Sequence, residues 1–276
     1  MLNESTVSKH YTHGSLLDAI QASVAKLGKT TDSITVEDLA PVDEFHIGSR
    51  FATDHLLGQL QFSAGDHILD VGCGLGGASR YVASRYSNRV TGIDLTPEFI
   101  ETGKVLCTWV GLENRVTLHQ GSALAMPFAD ESFDGAIMLH VGMNIDDKAR
   151  LFGEVSRVLR PGAAFGIYDV MRVNDGDLAY PVPWATEHST SALATPDQYK
   201  KLLDDASFEV STENNRRAFA LEFFNTLQEK MKANGGPPPL GLHVLMREST
   251  PIKIKNMLDN IAADRIAPVE IIARKR

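Results

Sequence analysis

The glycine-rich segment at residues 68–77 offers the clearest ligand-binding chemistry in the sequence. It reads Ile-Leu-Asp-Val-Gly-Cys-Gly-Leu-Gly-Gly, so an apolar run leads directly into Gly72, Gly74 and Gly76. Glycines let the backbone approach a ligand closely, and a following helix presents unpaired N–H groups in its first turn. The pattern predicts a turn that binds a small molecule between a strand and a helix.

Two carboxylates narrow the choice of ligand. Asp94 lies 22 residues after Gly72, where it can accept both hydroxyls of a ribose. That feature is shared with NAD enzymes, and Gly72, Gly74 and Gly77 match the dinucleotide spacing G-x-G-x-x-G. Asp70 favours another ligand, because it would repel a pyrophosphate and attract an ammonium or sulfonium group. The structural alternatives are an Asp70 that only caps backbone N–H groups and a turn without a ligand.

A regular alternation of strands and helices from residue 66 onward must position these groups. Short β-branched runs are separated by amphipathic stretches of helical length, and this order predicts a parallel sheet covered by helices on both faces. The predicted strands are His67–Val71, Arg89–Asp94, Arg115–Gln120, Gly135–His140 and Ala163–Val170, with a terminal strand at Val269–Ala273.

Composition excludes several classes of protein. The 276 residues carry 27 basic and 35 acidic side chains, a net charge of −8, which argues against a general nucleic-acid binder. No apolar run approaches 18 residues and no secretory leader is evident, so neither secretion nor a membrane span is expected. Two cysteines cannot build a metal framework and are typical of a reducing, cytoplasmic environment.

Four motifs in the right order across residues 66–170 resemble the class I S-adenosylmethionine-dependent methyltransferases. The resemblance implies an α/β fold, with a doubly wound, mostly parallel seven-stranded Rossmann-like sheet and an antiparallel last strand. It also divides the chain into an N-terminal helical lid (1–60), the cofactor-binding core (61–215), a helical insertion (216–262) and the terminal strand (263–276). The motifs are Asp70–Gly76, Gly92–Thr96, Gly121–Phe128 with Ser132–Asp134, and Arg157–Gly162.

Within that superfamily the chain is most similar to the sarcosine/dimethylglycine and ubiquinone/menaquinone methyltransferases, the small-molecule group called methyltransferase type 11. One departure concerns Ser122, which stands where the family has an acid that receives the adenine amino group. The resemblance implies S-adenosyl-L-methionine as cofactor and no metal. It carries cofactor binding to Asp70, Gly72, Gly74, Gly76, Asp94, Leu95, Ser122, Ala123 and Leu139.

The acceptor side of the reaction should lie past the fourth predicted strand, because sites in doubly wound sheets form at the carboxyl ends of the strands. His140 is the predicted general base, since its pKa falls in the useful range. A histidine that is hydrogen-bonded structurally beside the cofactor fits equally well. Asn144 is predicted to orient the substrate or, alternatively, to cap the helix that starts near Asp146.

Three further residues are predicted to contact the substrate. His46 and Arg50 lie in a segment that resembles the family's pre-core lid, and Arg50 could meet an acidic substrate group or pair with Asp54 four residues on. Trp184, in a Pro-x-Pro-Trp loop, could cover a substrate cation or ring. The alternative for Trp184 is an aromatic side chain packed on its own loop.

These features predict a methyltransferase that acts on a small molecule, with an amine or small metabolite favoured. Residues 1–60 carry a net charge of −4, which favours a cationic or zwitterionic acceptor. Two other functions stay open: an NAD-type oxidoreductase and a non-catalytic S-adenosylmethionine-binding regulatory subunit. Nucleic acid is not an expected partner, because the segment after residue 139 lacks the Asn/Asp-Pro-Pro-aromatic motif that holds a flipped base. A homodimer is the expected assembly if the insertion forms a subunit contact.

Overall fold

The computed structural model describes residues 3–12 and 14–276, and its centre is one seven-stranded sheet. The strands are β1 (His67–Val71), β2 (Arg89–Asp94), β3 (Val116–Gln120), β4 (Phe133–Leu139), β5 (Leu159–Arg172), β6 (Phe208–Asn215) and β7 (Ile266–Lys275). Their order across the sheet is β3-β2-β1-β4-β5-β7-β6. The first five strands pair in parallel, whereas β7 runs antiparallel to both β5 and β6. The predicted fold is confirmed, including its antiparallel last strand.

The predicted strand bounds agree best with the structure for the first three strands. β1 and β2 match residue for residue, and β3 begins one residue late at Val116. β4 ends at Leu139 because the next residue, His140, has a left-handed backbone with φ of +56°. β5 is longer than predicted at both ends, since Leu159 pairs with Phe133 and nine residues of β5 pair with β7.

Helices cover both faces of the sheet. They are α1 (Glu4–Tyr11), α2 (Leu16–Lys26), α3 (Val36–Asp43), α4 (Ser49–Leu60), α5 (Gly77–Tyr86), α6 (Pro97–Trp109), α7 (Lys148–Val158), α8 (Pro196–Asp205), α9 (Arg217–Ala233), α10 (Leu242–Met246) and α11 (Thr250–Ala262). α7 and α8 bury Phe152, Val155 and Leu203 against one face. α4 and α5 bury Leu56 and Val82 against the other face. α4 therefore belongs to the packed core, although it lies within the predicted lid segment.

The N-terminal helices and the late insertion form a shared apolar cluster. Leu16 and Ile20 of α2 pack with Leu39 of α3, and Val244 and Leu245 of α10 join the same group. Burial of each such side chain stabilises the fold by roughly 1.5–3 kcal/mol. Segments that are more than 200 residues apart in sequence thus form one layer beside the carboxyl ends of β1 and β2. In the part of the chain that is described, no helix is both long and apolar enough to cross a membrane.

Candidate functional site

A cavity of about 340 Å³ lies at the carboxyl ends of β1, β2, β3 and β4. α1 and the residues that follow α3 form its outer wall, and the loops that leave the four strands form its floor. This is the edge at which doubly wound sheets bind ligands. Its lining includes Glu4, Tyr11, Asp43, His46, Asp70, Gly72, Gly74, Asp94, Leu95, Ala123, Leu139, His140, Asn144 and Arg150.

The glycine turn forms one inner wall of the cavity. The N–H groups of Gly72 and Cys73 both donate to the Ile93 carbonyl, at 2.8 and 3.0 Å, which holds the turn against β2. Gly72 has φ of +70°, and a Cβ at this position would lie 2.4 Å from a Val141 methyl carbon. Glycine is therefore required both by the backbone and by the space. Gly76 is different: it precedes the first residue of α5 and does not line the cavity.

Asp70 and Asp94 both line the cavity. Asp70 is only 2% exposed, and its Oδ2 accepts one hydrogen bond from the Ser79 hydroxyl at 2.6 Å. Burial raises the pKa of Asp70 to about 7, and the Asp94 charge adds to this shift. Asp94 accepts N–H hydrogen bonds from Gly74 at 3.0 Å and Thr96 at 2.8 Å, while burial raises its pKa. Both carboxylates are thus poised for a ligand that carries positive charge or hydroxyl donors.

His140 lies on the cavity wall where β4 ends. Its backbone N–H donates to the Tyr168 carbonyl at 2.7 Å, so the left-handed turn is tied to β5. Its Nε2 atom is buried and has no hydrogen-bond partner among the described residues. Burial holds the pKa of His140 well below its usual range, and nearby His46 lowers it further. The imidazole is therefore neutral at physiological pH, so one of its two ring nitrogens is able to accept a proton.

His46 and Asn144 flank His140 in the same cavity. The His46 ring centroid lies 6.0 Å from that of His140, and burial lowers the pKa of His46 to about 4. Its Nε2 contacts Thr53 Oγ1 at 2.9 Å. Asn144 accepts a hydrogen bond from the Tyr11 hydroxyl at 3.4 Å. Asn144 lies in a short 3-10 turn, and Asp147 rather than Asn144 caps α7.

Arg50 lies outside the cavity. Its guanidinium pairs with the buried Glu44 carboxylate and stacks over the Tyr81 ring at 3.9 Å from the centroid. The predicted alternative partner, Asp54, instead accepts a hydrogen bond from Tyr81. Arg50 lies in α4, and the partner of its guanidinium is Glu44 from the same N-terminal segment, neither Asp54 nor a group that faces the cavity.

Trp184 also lies outside the cavity. It is only 3% exposed, because α9 and α11 of the insertion cover the loop that carries it. Its indole N–H donates to Ser191 Oγ at 3.0 Å. The structure places this side chain in packing between the loop and the insertion, not over a ligand.

Three of the remaining predicted cofactor residues, Leu95, Ala123 and Leu139, line the cavity. Ser122 does not, because its hydroxyl is used within the protein. The Ser122 oxygen accepts the Leu124 N–H at 3.0 Å, and the hydroxyl proton is donated to Glu4.

The sequence does not predict that α1 contributes to the wall of the cavity. Glu4, Val7 and Tyr11 lie on one side of this helix and line the cavity. The sequence gives little signal for them, since α1 is a short polar helix without a motif and none of its residues is buried. Asp43 and Phe45 belong to the segment at residues 43–48 that resembles the family's pre-core lid, and both line the cavity. Among the residues that the structure describes, no group of three metal-ligating side chains is close enough to hold an ion.

Comparison with known proteins identifies the core. Residues 69–167 match the model of the methyltransferase domain family. This segment is a class I methyltransferase domain. Its relatives and structural neighbours are S-adenosylmethionine-dependent methyltransferases that act on small molecules, and the match disfavours an NAD-type oxidoreductase.

Relatives and solved structures are similar to the chain over more than the matched segment. It is 28% identical to an O-methyltransferase of Pyrenophora dematioidea over 200 residues, which are 72% of this chain and 73% of that protein. A putative sarcosine dimethylglycine methyltransferase from Galdieria sulphuraria has the same fold, with a TM-score of 0.66, 16% identity and coverage of 95% and 98% of the two chains. The [4+2]-cyclase SpnF shares the fold with a TM-score of 0.70, 19% identity and coverage of 99% and 97%.

The residues of the cavity fit the cofactor of this methyltransferase. S-adenosylmethionine carries an ammonium group, a sulfonium and a ribose. Asp70 is a buried carboxylate with one protein donor, and Asp94 presents a second carboxylate at the end of the neighbouring strand. The glycine turn between them leaves room that a side chain would fill.

Proposed function

We propose that this methyltransferase transfers a methyl group to the hydroxyl of an uncharged small molecule, with His140 as the proton acceptor. The observation that carries the proposal is the neutral imidazole of His140 on the cavity wall, since a neutral imidazole has one ring nitrogen that can accept a proton. When bound, S-adenosylmethionine supplies the methyl group as a reactive sulfonium.

We propose that the cofactor lies along the strand ends in the order set by the sheet. Asp70, at the end of β1, would hold the ammonium group, and Asp94, at the end of β2, would accept the ribose hydroxyls. Gly72 and Gly74 would let the backbone approach the cofactor between these two points. The carboxylates facing the cavity support this placement, because they match the charge and the donors of the ligand.

The depressed pKa of His140 favours a hydroxyl acceptor over an amine. A hydroxyl that gains a methyl group becomes a very strong acid, so even a weakly basic imidazole can take its proton. An alkylammonium product has a pKa of about 10, close to that of lysine, and would keep its proton against such a base. The neutral imidazole also accepts a hydrogen bond from the O–H before transfer and so orients the oxygen.

Asn144 and Tyr11 supply the other polar groups on the acceptor side. Their mutual hydrogen bond links α1 to the turn after β4, next to His140. An acceptor hydroxyl that reaches His140 would lie beside this pair, and closure by α1 would exclude water from it. The relative named as an O-methyltransferase supports this acceptor class.

An amine is the second candidate, and the charge of the cavity favours it. Among the described residues that line the cavity, six carry carboxylates and only Arg150 carries a guanidinium. After one carboxylate has paired with the ammonium group of the cofactor, the remaining excess of negative charge would still attract a cationic acceptor. The same charges disfavour acceptors that carry a phosphate or a diphosphate.

A panel of neutral phenols and alcohols beside primary and secondary amines tests the acceptor class. His140→Asn is the matched variant, because asparagine tolerates the left-handed backbone at this position. We expect it to lower kcat with a hydroxyl acceptor by about 100-fold or more, the usual contribution of general base catalysis, without changing the Kd for the cofactor. The control is His119→Ala. His119 lies on β3, and its ring contacts Phe128.

Three results would contradict the proposal. Turnover of amines alone would replace the hydroxyl acceptor with the amine. Full activity of His140→Asn would remove the proton-acceptor role. Tight cofactor binding without transfer to any acceptor would favour the non-catalytic subunit, or a different reaction on the same fold, for which the cyclase neighbour is a precedent.

We further propose that the segments 1–60 and 216–262 determine which acceptor enters, because both lie outside the matched domain. A homodimer and a cytoplasmic location stay predictions. Sedimentation at twice the 30.1 kDa chain mass would support the dimer, and a monomer at micromolar concentration would contradict it.

A further inference from the structure

The helix α1 spans the mouth of the cavity from β3 to β4. At one end, the Glu4 carboxylate accepts the hydroxyl proton of Ser122, which follows β3. At the other end, the Tyr11 hydroxyl contacts Asn144, which follows β4. Seven residues of helix rise about 10 Å, and strands three positions apart in a sheet lie about 14 Å apart. With its two side chains, α1 therefore matches the width of the site.

The strand order fixes which part of the cofactor lies at each end of α1. From β4 to β3 the cavity presents His140, then the glycine turn and Asp70, then Asp94, and finally the loop at residues 121–124. If Asp94 holds the ribose, the base attached to that ribose extends past β2 to the ends of β3. Glu4 reaches into the same place.

Ser122 has no hydrogen-bonding capacity left for a ligand amino group. Its hydroxyl has one proton, which it donates to Glu4, and its oxygen already accepts the Leu124 N–H. Glu4 lines the cavity itself and carries two oxygens with lone pairs. The bond to Ser122 uses one of these positions and directs the carboxylate toward the base.

We propose that Glu4 is the cofactor-specificity residue that receives the exocyclic amino group of adenine. The carboxylate is supplied from the N-terminal helix across the cavity, with Ser122 as its positioning residue. The proposal rests on the placement of the cofactor in the proposed function but not on the identity of the acceptor. Closure of α1 is thereby coupled to the presence of an adenine base.

Binding of two cofactor products that differ at one group tests the assignment. S-adenosylhomocysteine has the amino group, whereas S-inosylhomocysteine has a carbonyl oxygen there, which a carboxylate repels. We expect Glu4→Ala to weaken S-adenosylhomocysteine binding about five- to tenfold in calorimetry, as for an exposed, charge-assisted hydrogen bond. The Kd for S-inosylhomocysteine should stay the same or improve.

A compensating variant makes the test specific. Ser122→Asp in the Glu4→Ala background places a carboxylate directly after β3, and we expect it to restore the preference for S-adenosylhomocysteine. Lys9→Ala, an exposed residue of the same helix, should change neither Kd. Asp94→Asn should weaken both ligands equally, because both carry the ribose.

The outcomes distinguish the role of Glu4 from the placement of the cofactor. Equal weakening of both ligands by Glu4→Ala, or weakening of neither, would overturn the role of Glu4 while leaving the cofactor site intact. Failure of the unaltered protein to bind S-adenosylhomocysteine would overturn the cofactor placement itself and the role of Glu4 with it.

Discussion

Replacement of Asp70 by asparagine should have opposite effects on stability and on cofactor binding. The side chain is buried at the base of the cavity, and within the described part of the chain it accepts a side-chain hydrogen bond from Ser79 alone. Asparagine keeps the shape and can still accept the Ser79 hydroxyl through its own oxygen. The substitution therefore removes the charge and little else.

The magnitude follows from the pKa of Asp70, which burial raises from 3.8 to about 7. A carboxyl whose pKa is higher in the folded than in the unfolded protein favours folding only while it is protonated. The free energy of unfolding therefore falls as the pH rises from about 4 to about 7. A shift of about three pKa units corresponds to about 4 kcal/mol. Asp70→Asn should recover up to that amount at pH 8 and almost nothing at pH 4.

Cofactor binding changes in the other direction. A cationic ligand requires the ionised carboxylate, whose fraction falls about tenfold for each pH unit below the pKa. The Kd of the unaltered protein for S-adenosylhomocysteine should therefore rise about tenfold per unit between pH 7 and pH 5. Asp94 adds its own pH dependence, because its pKa is also raised by burial. The contribution of Asp70 is therefore the difference in the pH dependence of Kd between the unaltered protein and Asp70→Asn.

Chemical denaturation and calorimetry at pH 5 and pH 8 measure both effects. At pH 8 we expect a melting temperature roughly 10 °C higher for Asp70→Asn without ligand, together with a weaker and less pH-dependent Kd. Asp32→Asn, at an exposed position, is the control. Equal or lower stability of Asp70→Asn at pH 8 would refute the burial argument. An unchanged slope of Kd against pH would refute the contact with the cation.

Three substitutions test other parts of the structure. Gly72→Ala should abolish measurable cofactor binding, because its Cβ would overlap Val141 in a left-handed turn; an unchanged Kd in calorimetry would contradict this. Arg80→Ala leaves the buried Asp43 carboxylate without its ion-pair partner, and we expect a loss of about 3–5 kcal/mol in denaturant unfolding, whereas a loss below 1 kcal/mol would count against it. Trp184→Phe should lower the free energy of unfolding by about 1–2 kcal/mol through its lost indole hydrogen bond, with KM values unchanged; a large rise in the acceptor KM would return this residue to the site.

The sequence predicts those parts of the fold that are determined locally. The junction at Gly72 needs only a strand, a glycine and a helix start, which lie within ten residues. β1 and β2 match the prediction because each is a short buried run bounded by polar residues. The antiparallel β7 was predicted from family resemblance and not from its own sequence, which shows no sign of its direction.

The sequence does not predict contacts that depend on distant segments. Glu4 meets Ser122 across 118 positions, and nothing near either residue indicates the pair. Trp184 is buried because the insertion folds over its loop, a consequence of tertiary packing that loop composition alone does not show. Arg50 has Asp54 as its local partner in sequence, four residues on, but the fold brings it into contact with Glu44 instead, six residues back.

The absence of buried side chains in α1 has a kinetic consequence. Apart from Tyr11, which packs on Phe99 of the apolar cluster, α1 is held by polar contacts, so we expect it to open at a lower free-energy cost than the core. Ligand exchange would then need no rearrangement of the sheet, and we expect detachment of this one short segment to limit product release. We expect the apolar cluster of α2, α3 and α10 to keep its packing while α1 moves.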